Sequence, residues 1–381
     1  MTNLSVFLRY LRLKLLVSFY RLIVKMLASP PRPRPDTVLR IPSRDKGRTI
    51  KAHIYKPSEK YAGSRGPHPV LVNFYGSGFA IPLYGADDGF CRFIATTTGY
   101  IVLDVEYRLA PEHPFPAAVH DVEDAVKYVL DRPEEYRTSQ VSVSGFSSGG
   151  TLALVAPTLF PPDTFQSVIS FYPATDLARD PSMRKPPALN AKPRSAFWTR
   201  IFREAYIGNM NPQDPRISPA YADTSKYPAN MLVVAAEMDS SALEAEDLAK
   251  RAETEGVASG RNVVIRRMKE CGHAFDKKDK DAACVQARDE AYGLAVDMLM
   301  KVAEVSLANN LKKCSPRLRR DCQRRSPVIA AAWYWHDWIA MSYDQLQGVT
   351  VSHLIECLGS VYSTKATSGK LGDSSTEGVV E

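Results

Sequence analysis

The chain is 381 residues long, 45% hydrophobic and 24% charged. These proportions exclude a disordered polymer, a collagen and a polytopic membrane protein, and the length suffices for one large α/β domain or two ordinary ones. The formal net charge of +7 sits at the ends: residues 1–35 carry seven basic side chains and no acid, and a second basic run spans 312–325. The stretch between is net acidic, so a nucleic-acid surface is not expected. Six cysteines with no CxxC pair signal neither a zinc site nor a disulfide framework, and buried reduced thiols are the expectation.

At the N-terminus, SVFLRYLRLKLLVSFYRLIVKML predicts a helix. Its longest charge-free run, 15–20, is far short of the ~20 apolar residues a spanning helix needs, and charges scattered through the apolar part do not match a cleavable signal peptide. Lys14, Ser18, Arg21 and Lys25 form one polar stripe, while Leu15, Leu16, Phe19, Leu22, Ile23 and Leu27 fall elsewhere. Two roles fit this pattern. One is a peripheral contact of residues 1–28 with an anionic membrane. The other is a lid over the protein's own site. The segment SPPRPRP at 29–35 ends the helix as a stiff linker. The expected location is cytoplasmic, with membrane association if the first role holds. The oligomeric state is left open.

Next come short apolar runs at 49–55, 70–75, 100–106, 141–144, 168–172, 231–236 and 263–267, with helical patterns at 121–130 and 243–255. Runs such as LVNF, IVLDV and MLVVAA are continuous rather than alternating, which marks strands covered on both faces. The order predicts a doubly wound, mostly parallel α/β sheet with catalytic groups at the carboxyl ends of strands. Residues 36–308 form that domain. After it, 309–381 reads as an extension of unknown role that crowds Trp333, Trp335 and Trp338 into one stretch.

The strongest chemical signal is Gly145-Phe146-Ser147-Ser148-Gly149-Gly150, after the strand VSVS and before the helical TLAL. This is G-x-S-x-G in a strand–turn–helix setting: small flanking residues permit the tight turn that lifts Ser147 above the sheet. The Ser148 N–H, at the helix start, points at a developing oxyanion. A serine nucleophile needs a histidine base oriented by a carboxylate. His273, just past a strand, is favoured over His336 and His353 in the extension. Asp239, directly after MLVVAAE, is the chosen acid, with Glu244 second and Glu237 inside the strand end. The glycine-rich turn Tyr75-Gly76-Ser77-Gly78-Phe79 is a candidate second oxyanion element.

Together these residues resemble the hormone-sensitive-lipase-like branch of the α/β-hydrolases. Tyr107-Arg108-Leu109-Ala110-Pro111-Glu112-His113-Pro114-Phe115-Pro116-Ala117-Ala118 is similar to that family's YRLAPE-x-PFPAA segment. Gly145–Gly150 resembles its GDSAGG motif, Asp239-Ser240-Ser241-Ala242-Leu243 its DPL and Gly272-His273-Ala274-Phe275 its GHxF. The resemblance implies an α/β-hydrolase fold without a cofactor or metal. It also implies hydrolysis of small or medium acyl esters, and a cap built from the N-terminal helix and an insertion at about 177–222. The family's HGGG is Tyr75-Gly76-Ser77-Gly78 here, which makes the N–H groups of Gly76, Ser77 and Ser148 the expected oxyanion hole. A Ser77 held at positive φ would be strained. Phe146, where the family has Asp, is expected with Tyr75 and Phe79 to give the substrate an apolar wall.

The resulting expectation is a serine carboxylesterase acting on a small-molecule ester, or deacetylating a natural product, with Ser147, Asp239 and His273 as its triad. Two alternatives remain at this point: a lyase or cyclase on the same site, and a non-enzymatic receptor of the same fold.

Overall fold

A computed structural model describes residues 3–27, 31–62 and 67–313. The chain divides into two units, 1–308 and 309–381. Apart from the end of the last helix, the second unit lies outside the described residues. His336, His353, the three clustered tryptophans and nearly all of the 312–325 basic run lie there too.

The elements in chain order are α1 (Asn3–Leu27), β1 (Thr37–Pro42), β2 (Thr49–Tyr55), α2 (Glu59–Ala62), β3 (His68–Phe74), α3 (Asp88–Thr98), β4 (Ile101–Val105), α4 (Ala117–Leu130), β5 (Tyr136–Phe146), α5 (Ser148–Val155), β6 (Ser167–Phe171), α6 (Ala196–Ile207), β7 (Asn230–Ala236), α7 (Ala242–Gly256), β8 (Asn262–Met268) and α8 (Ala282–Lys313). The strands form one sheet in the order β1-β2-β4-β3-β5-β6-β7-β8. β1 and β2 are antiparallel and β3 to β8 run parallel. All seven apolar runs are strands. The eighth, β1 (TVLRIP), is an edge strand with mostly exposed side chains, so its apolar pattern is too weak to mark it.

Both faces of the parallel strands are buried, as continuous apolar runs require. Val70, Val72, Val143, Val168 and Val233 face the layer that contains α4, α5 and α7. Leu71, Val102, Ile169, Leu232 and Val234 face α3 and α8. Full burial of one such side chain contributes about 1.5–3 kcal/mol before entropy is charged against it. The three described cysteines, Cys91, Cys271 and Cys284, are free and buried.

The insertion after β6 carries α6, and α1 lies against it. Tyr20 packs on Trp198 and Phe202 with ring centroids 4.7 and 4.9 Å apart. Leu13 and Val17 are buried beneath. Four of the α1 cations point at the protein's own acids. Arg9 and Arg12 pair with Glu204 of α6, at 2.9 and 2.5 Å, while Lys14 and Arg21 both bind Glu112. Arg21 also donates to the Ala80 and Ala110 carbonyls, at 2.7 and 2.9 Å. The helix is therefore held against the body by ion pairs and ring contacts. Leu4, Leu8, Leu11, Leu15, Leu22 and Met26 are exposed on its outer side. Among the described residues, no helix is long and apolar enough to cross a membrane.

Candidate active site

β5 ends at Phe146 and α5 begins at Ser148, leaving Ser147 at the turn with φ 53° and ψ −118°. Such a backbone costs a non-glycine residue on the order of 1–3 kcal/mol and persists because its surroundings over-determine it. Here the Ser147 N–H donates to Phe171 O and the Thr151 N–H to Ser147 O, both at 2.9 Å. The flanking glycines are obligatory for space. A Cβ at 145 would lie 2.2 Å from Gly149 O, and one at 149 would lie 1.9 Å from Phe74 O.

The turn presents Ser147 Oγ at 2.8 Å from His273 Nε2, and His273 Nδ1 lies 2.5 Å from Asp239 Oδ2. Three loops at the carboxyl ends of β5, β7 and β8 thus converge. Asp239 is fully buried. The Ser241 N–H and hydroxyl donate to its two oxygens, at 3.2 and 2.8 Å. Burial would raise the Asp239 pKa, but the facing His273, Arg194 and Ser241 outweigh it and hold the carboxyl well below the usual carboxylate range. An ionised Asp239 fixes the imidazole tautomer that leaves Nε2 free to accept.

The second-choice acid is engaged elsewhere. Glu244 accepts the Thr175 N–H at 3.0 Å and lies 3.2 Å from Arg184 Nε. Glu237 accepts the Glu270 N–H at 2.9 Å, tying the β7 and β8 loops together.

The His273 loop has supports that motif reading does not reveal. The Tyr172 ring meets the imidazole edge-on, with centroids 4.9 Å apart, and its hydroxyl donates to Asp276 Oδ1 at 2.5 Å. Lys277 Nζ bridges Asp276 and Asp87, at 2.9 and 2.7 Å. Asn73, near the end of β3, donates to Asp87 and Asp104, at 3.3 and 2.9 Å. A polar chain from the Tyr172 hydroxyl, whose ring packs on His273, therefore reaches the strand that carries the candidate oxyanion loop. Arg194, from the insertion, reaches 3.5 Å from His273 Nδ1. In the sequence it is one of many arginines, and nothing local distinguishes it.

On the oxyanion side, the Ser148 N–H opens α5 and has no intrahelical partner. Gly76 runs directly beside the nucleophile, since a Cβ there would sit 3.1 Å from Phe146 O and 3.4 Å from Ser147 Cβ. Positive φ falls at Gly78 (55°) and Phe79 (60°), not at Ser77, so the serine is unstrained. The Ser77 N–H, expected as a free oxyanion donor, instead donates to Ser148 Oγ at 2.9 Å. The physical reason is the hydroxyl at 148, which reaches the loop and accepts from it.

The apolar substrate wall is corrected at all three positions. Phe146 is 1% exposed and stacks flat on Phe171, with centroids 4.4 Å apart, so it belongs to the core. Its side chain takes the α3–α8 face, where Phe90 meets it edge-on. Tyr75 is buried between Tyr107 and Tyr84, with centroids 4.6 and 5.5 Å away. Phe79 is 5% exposed and stacks on Tyr206 of α6 at 3.7 Å. These rings brace the loop and the insertion instead of lining open space.

Residues 71–277 match the model of a family described as alpha/beta hydrolase fold. That is more than half of the chain, which belongs to this family. A curated relative, carboxylic ester hydrolase LipN of Mycobacterium tuberculosis, is 31% identical over 242 residues, covering 59% of this chain and 61% of the relative. Ethyl acetate hydrolase of Pseudomonas putida is 27% identical, covering 59% of this chain and 72% of that protein. The chain thus spans about three-fifths of the length of the first of these. Among solved structures, a hyperthermophilic esterase from Pyrobaculum calidifontis superposes with TM-score 0.60 and 28% identity, covering 76% of this chain and 91% of that one. Residues 322–376, outside the described residues, match a separate model described as acyclic terpene utilisation family protein AtuA.

Proposed function

We propose that the protein is a serine carboxylesterase acting on small or medium acyl esters. The observation that carries this reading is the continuous chain Ser147 Oγ–His273 Nε2–His273 Nδ1–Asp239 Oδ2, with links of 2.8 and 2.5 Å, at the strand ends of an α/β-hydrolase sheet. The names of the relatives and structural neighbours support it. His273 accepts the Ser147 proton as the hydroxyl attacks the ester carbonyl. Asp239 stabilises the imidazolium that forms. N–H groups at the start of α5 and in the 75–78 loop receive the negative charge on the carbonyl oxygen. The imidazolium then protonates the departing alcohol. Water, deprotonated by His273, releases the acid from Ser147.

A receptor of this fold has no need of a complete nucleophile–base–acid chain, and the intact triad weighs against that reading. A lyase or cyclase would turn over without an acyl-serine. The deciding experiment combines p-nitrophenyl butyrate hydrolysis with fluorophosphonate labelling. Wild type is expected to hydrolyse the ester and to be labelled at Ser147, and Ser147→Ala to do neither while keeping its melting temperature. Unchanged hydrolysis by Ser147→Ala, or labelling at another serine, overturns the assignment.

A further inference from the structure

The hydroxyl of Ser148 sits where a catalytic N–H should be free. Ser148 Oγ accepts from the Ser77 N–H at 2.9 Å and lies 3.1 Å from Ser77 Oγ and 3.2 Å from the Tyr107 hydroxyl. The Tyr107 hydroxyl in turn donates to Tyr75 O at 2.7 Å and lies 2.7 Å from Ser77 Oγ. Ser77, Tyr107 and Ser148 are each at most 3% exposed, so water does not compete for these groups. Burial pushes the Tyr107 pKa up, which keeps its phenol protonated as a donor. Because its proton goes to Tyr75 O, its oxygen accepts from a serine.

Two parts of this ring have different fates if Ser148 turns about χ1. The bonds from Tyr107 to Tyr75 O and to Ser77 Oγ do not involve Ser148, so the loop stays tethered. The Ser77 N–H, by contrast, loses its acceptor, one residue along from Gly76, which runs against Ser147.

We propose that the Ser148 hydroxyl is a latch on the oxyanion loop: it occupies the Ser77 N–H at rest and must rotate away before that N–H can stabilise a tetrahedral intermediate. Tyr107 is the positioning residue that holds the loop while the latch is open. The proposal rests on the esterase reading above. A neutral hydrogen bond broken on the way to the transition state lowers the rate by a factor of about five to ten.

The test uses the full chain, with p-nitrophenyl butyrate as substrate and an aryl trifluoromethyl ketone as a mimic of the tetrahedral anion. Ser148→Ala is expected to raise kcat about five- to tenfold, to leave KM within about twofold, and to tighten ketone inhibition by the same factor as kcat. Ser148→Thr keeps the hydroxyl and is expected to show no rise. An Ala variant with unchanged or lower kcat overturns the latch, as does a Thr variant that rises equally. Fluorophosphonate labelling of Ser147 in all three proteins separates the outcomes. Equal kcat with intact labelling sinks the latch alone, whereas absent labelling and absent hydrolysis sink the esterase reading beneath it.

Discussion

The nucleophile side of the site and its oxyanion side are built from the same sheet but left in different states. Ser147, His273 and Asp239 are hydrogen-bonded in line, each from its own strand-end loop. The 75–78 loop is anchored just as firmly, yet its Ser77 N–H is already taken. An aligned Ser147–His273–Asp239 chain therefore does not imply that the N–H groups beside it are free. The two halves are set by separate positions, and the hydroxyl at 148 bonds to the 75–78 loop.

Four measurements break or sharpen this contrast. The largest effect belongs to the nucleophile: Ser147→Ala is expected to lower kcat/KM by at least about 10⁴ with no change in melting temperature. Asp239→Asn comes next. Loss of the carboxylate that orients His273 is expected to reduce kcat by roughly 10³–10⁴, read from steady-state rates across pH. Because the folded Asp239 pKa is depressed, its contribution to stability is present above the ordinary carboxylate pKa and disappears as pH falls below it. Acid unfolding of the Asn variant should accordingly be less steep than that of wild type. On the oxyanion side, Tyr107→Phe removes the donor to Tyr75 O. It also removes a partner of Ser77 Oγ, and it is expected to lower kcat by about tenfold while fluorophosphonate still labels Ser147; an unchanged kcat would show that Tyr107 does not position the loop.

The smallest effect concerns α1. Burial would raise the Glu112 pKa, but Arg21 and Lys14 draw it down to about 2. Its stabilising pairing is fully present at neutral pH and is lost as pH drops through the range from about 4.5 to about 2. Hydrogen exchange in α1 is expected to accelerate across that window, ahead of the sheet. Equal protection of both elements would mean that Glu112 does not hold the helix.

The parallel sheet was legible because burial on two faces demands unbroken apolar runs, and LVNF, IVLDV and MLVVAA have no other ready explanation. Asp239 and His273 were legible for a related reason: chain order and strand ends leave few places for an acid and a base. β1 escaped notice because an edge strand facing solvent needs no apolar run. Phe146 was misplaced because being next to the nucleophile in sequence says nothing about which side of the sheet a ring takes. The bond from Ser77 to Ser148 was illegible for a further reason. It depends on a side-chain rotamer and on the approach of two loops more than seventy positions apart. Arg194 and the Lys277–Asp87–Asn73 chain are contacts of the same long-range kind.

The inward-facing cations of α1 bear on how this protein can be shortened. A version trimmed at the proline-rich segment would lose a greasy outer stripe and gain solubility on paper. It would also strand Glu112 and Glu204 without their counter-charges, strip Tyr20 from Trp198 and Phe202, and cut the guanidinium clasp on the Ala80 and Ala110 carbonyls. Residues 3–27 are thus a keystone and not a handle, and a chain without them would leave these acids and rings with no partner on that side.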